Sequence, residues 1–111
     1  MHIDGLKETM IRIGVSLIES ANDESDMSSY LSIIKDYEFI MNKYGEFDGV
    51  RIWFEVGDPS ICLDTTTNEM CGETTCHQVF WKLQNAFYRE ACDTINRIFK
   101  EIYKNEIQNK S

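Results

Sequence analysis

The sequence predicts an α+β domain in the order α–α–β–β–α: two N-terminal helices, a β-hairpin and a long C-terminal helix. Three observations carry this. Apolar residues recur at helical spacing over residues 3–44. The period shortens to two in VRIWFEV, Val50 to Val56. It lengthens again from Thr75 to about Ile107, where no glycine or proline interrupts. A chain of 111 residues is expected to be one domain over 1–111. At that length folding buries roughly 60–70% of the unfolded surface, enough for a core without disulfides or metal.

The first helix is expected over 3–21, where Ile3, Leu6, Met10, Ile13 and Leu17 are spaced 3,4,3,4 and Gly14, Ile18 and Ala21 widen the stripe. NDESD, Asn22 to Asp26, breaks the pattern and suits a loop running into an N-cap, its acids at the next helix's positive end. The second helix is expected from Met27 to Tyr44, with Met27, Tyr30, Leu31, Ile34, Tyr37, Ile40, Met41 and Tyr44 on one side and Gly45 as the C′ residue. The short connection favours an antiparallel helix pair.

In the hairpin, Val50, Ile52, Phe54 and Val56 share one face, and Arg51, Trp53 and Glu55 the other. GDPS, Gly57 to Ser60, is turn chemistry, and ICLDTTT follows with Ile61 and Leu63 inward. Two strands alone are marginal, so the hairpin must pack on helices or extend another sheet.

In the last segment Thr75 and Gln78 fit a capping box. One stripe, Phe80, Leu83, Phe87, Ala91, Ile95, Ile98 and Ile102, reads as core. Beside it lies a second, Trp81, Tyr88, Cys92, Phe99 and Tyr103. Together they span about 180°, against ~100° for a helix facing one core. Either other elements wrap this helix, or part of the second stripe faces another chain. A helix of thirty or so residues is roughly 45–50 Å long and would overhang a domain about 30 Å across, which makes homo-oligomerisation through it a natural expectation. Arg89, Asp93, Arg97 and Glu101 form an i,i+4 ladder on the solvated side.

The net charge is −8. Residues 1–75 hold fifteen acids and five bases, and residues 76–111 four acids and six bases, so the acidity belongs to the first part. Such a body repels phosphates, which disfavours direct nucleic-acid binding and favours a partner with a basic surface. No segment is apolar enough to span a membrane, no secretion signal is evident, and a cytoplasmic protein with reduced thiols is expected. The sequon Asn109-Lys110-Ser111 reads as chance, and His2 as part of a frayed end.

CGETTCHQVFW, Cys71 to Trp81, concentrates the reactive side chains. Cys71-x4-Cys76 suits a zinc hairpin, with Cys62 and His77 as further ligands. Adjacent Cys76 and His77 diverge by about 100° on a helix, however, and a second close cysteine pair is missing. A Cys71–Cys76 disulfide, a reactive Cys76 thiol and a Cys/His nucleophile pair are the other readings. The capping-box reading explains the same residues without chemistry, and reduced Cys62 and Cys92 read as core residues. No phosphate-binding, zinc-protease or serine-hydrolase motif is present, so no catalytic residue and no cofactor are expected.

The functional expectation is a small acidic protein, not an enzyme, that binds another protein. An inhibitor of a basic, nucleic-acid-handling protein, of the kind phages and mobile elements encode, fits this profile. Its contact residues are expected among Asp23, Glu24, Asp26, Glu46 and Asp48, with the aromatics Trp53, Trp81, Tyr88, Phe99 and Tyr103. The alternative from another class is a small-molecule binder or a thiol or metal sensor at Cys71, Cys76 and His77.

Overall fold

Residues 36–41 and 78–82, both expected in helices, are strands in the computed structural model, which describes the backbone of residues 3–110 and side chains as far as Gln108. His2 and the side chains of the sequon at 109–111 lie outside the described residues. The elements are α1 (Ile3–Ser20), α2 (Glu24–Leu31), β1 (Asp36–Met41), β2 (Phe47–Glu55), β3 (Ser60–Asp64), β4 (Glu69–Glu73), β5 (Gln78–Lys82) and α3 (Ala86–Lys110). The strands form one antiparallel meander in the order β1-β2-β3-β4-β5. The class is α+β, but the expected two-strand hairpin is corrected to a five-stranded sheet in which that hairpin supplies β2 and β3. Among the described residues no helix is long and apolar enough to cross a membrane.

Both corrections have the same cause. In and after DYEFIM, Asp36 to Met41, the residues Tyr37, Ile40, Met41 and Tyr44 fit a helical stripe, while Tyr37, Phe39 and Met41 also fall at every second position, Tyr37 between Asp36 and Glu38. Alternation wins because the strand reading sends Tyr37 and Phe39 onto α3, with ring centroids 5.0 Å from Phe99 and 5.3 Å from Tyr103. Gly45 closes a β-turn instead of a helix: its φ is +76°, and Asn42 Oδ1 accepts from the N–H groups of Tyr44 (2.9 Å) and Glu46 (3.1 Å).

QVFWK, Gln78 to Lys82, is likewise ambiguous and becomes β5. Thr75 therefore caps no helix. It lies in the β4–β5 connection, where the Thr74 N–H donates to the His77 carbonyl (2.8 Å) and the His77 N–H to Thr74 Oγ1 (3.0 Å). The helix starts later, at Asn85, whose Oδ1 accepts from the Tyr88 N–H at 3.0 Å. Replacing Asn85 by alanine should cost about 1 kcal/mol, with a matching fall in the urea midpoint.

One sheet face is covered by the helices. Its central row runs across all five strands as Tyr37, Ile52, Leu63, Met70 and Trp81, register partners in turn. Val50, Ile52, Ile61, Leu63 and Met70 are fully buried against Leu6, Met10, Leu17, Met27 and Ile95. α1 sits so close to β4 that a Cβ on Gly72 would meet Met10 Sδ at 2.5 Å and Leu6 Cδ1 at 3.0 Å. The buried face of α3 is Tyr88, Ala91, Cys92, Ile95 and Phe99, which takes members from both expected stripes. Phe80 and Phe87, expected in the core, are 58% and 65% exposed. α3 has 25 residues, about 38 Å by helical rise. It is shorter than expected because residues 78–85 are strand and turn.

Candidate functional site: the uncovered sheet face

Alternation along the strands sends the other set of side chains to the face opposite the helices. Its central row is again read from register: Trp53 on β2 opposes Cys62 on β3, Cys62 opposes Cys71 on β4, and Cys71 opposes Phe80 on β5. Trp53, Cys62 and Cys71 remain partly accessible and Phe80 is exposed. Two aromatics and two thiols thus form one apolar row over four strands. A shallow concavity of about 400 Å³ lies over it.

The next row on this face is charged: Glu38, Arg51, Asp64, Glu69 and Lys82, one per strand. Arg51 is engaged within it, Nη1 lying 2.9 Å from Glu38 Oε1 and Nη2 3.2 Å from Asp64 Oδ2. Burial opposes the charge of Asp64. Hydrogen bonds from the Thr66 hydroxyl and N–H and from Arg51 outweigh it and hold this carboxyl below its ordinary range. Asp36, the register partner of Trp53, ends the apolar row itself on β1, and Glu73, beside Ser60 and Gln78, adds acid on its other side. Five acids in these rows stand against Arg51 and Lys82.

Burial disfavours the thiolate at both cysteines of the row. Burial pushes the Cys62 thiol up, and neighbouring Cys71 adds to this. Burial also raises the Cys71 thiol, partly offset by the Gln78 amide, whose Nε2 lies 4.0 Å from Sγ. Cys92 is different: it is buried in the helical layer, and burial takes its thiol to about 12.

The residues singled out from sequence do not gather at one place. Asp23 caps α2, accepting from the Asp26 N–H at 2.7 Å, and Glu24 pairs with Arg97 of α3 at 2.9 Å. Asp26 is exposed on the same helix. Glu46 lies in the β1–β2 turn and Asp48 early in β2, both exposed. Tyr88 and Phe99 are buried, so they meet other parts of this chain. Tyr103 packs against Phe39 and Phe47, with centroids 5.3 and 5.6 Å away. Trp81 points to the helical layer, edge-on to Tyr88 at 5.4 Å, and a Cβ on Gly14 would lie 2.9 Å from its ring. Only Trp53 of that set belongs to the uncovered face. Phe80, Glu38, Asp64 and Glu69 share this face with Trp53 although none was singled out from the sequence as a contact, and their signal was the alternation of β1, β3, β4 and β5.

The ligand set Cys62, Cys71, Cys76 and His77 is not assembled. Cys62 and Cys71 face each other on the sheet, whereas Cys76 and His77 lie in the β4–β5 connection. Among the described residues no group of three or more His, Cys, Asp or Glu is placed to hold a metal ion. A larger concavity, about 590 Å³, lies elsewhere. Leu31, Ile34, Tyr37, Ile98, Phe99 and Ile102 line it, and it contains no thiol or histidine.

Fold and surface together define a two-layer α+β protein with one sheet face left open and acid-bordered. The chain gives no significant match to any protein-family model, curated protein or solved structure.

Proposed function

We propose that the protein acts by binding another protein through the uncovered sheet face, to a surface with an apolar centre and a basic surround. The observation that carries this is the Trp53–Cys62–Cys71–Phe80 row with acids on both sides. Aromatics at the centre of a patch and charge at its rim are the arrangement of a protein interface. The rim acids favour a basic partner and oppose phosphate, so nucleic acid is a poor occupant. A surface of this kind competes with nucleic acid for a basic protein, which is how an inhibitor of a nucleic-acid-handling protein would work.

The test starts from the full chain immobilised and exposed to host lysate, with the captured protein then purified. Trp53→Ala should weaken binding of that purified protein at least about 30-fold, the loss typical of a central aromatic. Glu38→Lys and Glu69→Lys should slow association and flatten its salt dependence. Unchanged affinity in Trp53→Ala and Phe80→Ala, with loss on reversing Asp23, Glu24 and Asp26, would place the contact at α2 and sink this reading.

A further inference from the structure

Cys62 and Cys71 lie directly opposite each other on neighbouring antiparallel strands, with side chains on the same accessible face. Opposed Cα atoms in such a pair are about 4.5–5.5 Å apart, within the roughly 4.4–6.8 Å that a disulfide spans. Both cysteines are free thiols and neither is fully buried. The other two cannot compete from the same position: Cys92 is buried in the helical layer and Cys76 is in the β4–β5 connection.

We propose that Cys62 and Cys71 are a reversible dithiol–disulfide site, oxidised in the folded protein by exchange with a small-molecule disulfide. The assignment is independent of the protein-binding reading. In the first step the Cys71 thiol loses its proton and its sulfur attacks the small disulfide. A bond forms between Cys71 and one reagent sulfur, the reagent S–S bond breaks, and one reagent thiolate leaves and takes up a proton. Cys62, deprotonated in turn, attacks Cys71 Sγ and expels the second reagent thiol. Two protein thiols are oxidised and one reagent disulfide is reduced to two thiols. The Gln78 amide, whose Nε2 lies 4.0 Å from Cys71 Sγ, favours the Cys71 thiolate and so favours Cys71 as the first nucleophile. Asp64, Glu69 and Glu73 beside the pair favour a cationic disulfide over an anionic one.

The probe is cystamine, a dicationic disulfide, added to the native 111-residue chain. Alkylation of remaining thiols, digestion without reductant and mass spectrometry then locate the links. The expected product is a peptide pair joined through Cys62 and Cys71, lost on adding dithiothreitol and formed equally in Cys76→Ser. In Cys62→Ser the reaction should stop with cysteamine on Cys71. Overturning results are a Cys71–Cys76 link, or cystamine adducts on Cys76 while Cys62 and Cys71 are recovered alkylated.

Discussion

Leu63→Ala is expected to destabilise the protein by about 2–5 kcal/mol, the range for truncating a fully buried leucine. Leu63 is in the middle strand of five, opposed by Ile52 on one side and Met70 on the other, and is 0% exposed. The helices hold the far side of the cavity through Leu6, Met10 and Leu17, all essentially inaccessible, so closure around a smaller side chain is restricted. Urea denaturation would show it as a lowered midpoint at constant slope. Phe80→Ala is the matched control. Phe80 is larger but 58% exposed on the opposite face, so its midpoint should move far less. Equal shifts for the two would mean that the faces of β3 and β5 are wrongly assigned.

Thr65→Val is expected to cost about 1–3 kcal/mol, although valine matches threonine in shape. Thr65 follows β3 and is buried, 5% exposed. Its Oγ1 accepts from the Val50 N–H at 2.9 Å and lies 2.6 Å from Asn96 Oδ1 of α3 and 3.1 Å from the Val50 carbonyl. The hydroxyl has one proton, so it donates to one of these two acceptors at a time. Valine leaves the Val50 N–H buried without this partner and removes a tie between α3 and the sheet. Thr65→Ser keeps the hydroxyl and should recover most of the loss. Hydrogen exchange at the Val50 amide checks the cause: it should quicken in the valine variant and recover in the serine variant.

These two residues show how unevenly the fold was legible. Leu63 was placed correctly as an inward residue because ICLD follows GDPS and alternates over a few positions. Thr65 gave no sign of its role, since Asn96 is far along the chain and nothing local links the two. Phe80 was misplaced in the core because QVFWK obeys two periods and a capped helix could be drawn through it. Of the candidate site, Trp53 was recognisable as outward-facing. Its neighbours in the row were not, since Cys62, Cys71 and Phe80 are joined to it by strand register.

By itself the sequence determined α1, the hairpin of β2 and β3, the turn at Gly57–Ser60 and the helical character of the chain's last part. Each rests on a pattern repeated within one short segment, so local periodicity and turn chemistry suffice. The tertiary structure decided β1 and β5, because DYEFIM and QVFWK fit helix and strand alike and only pairing with β2 and β4 separates them. It also decided the site. Both the apolar row and the opposed thiols exist through cross-strand register, and the face they share is open because all three helices pack on the other side.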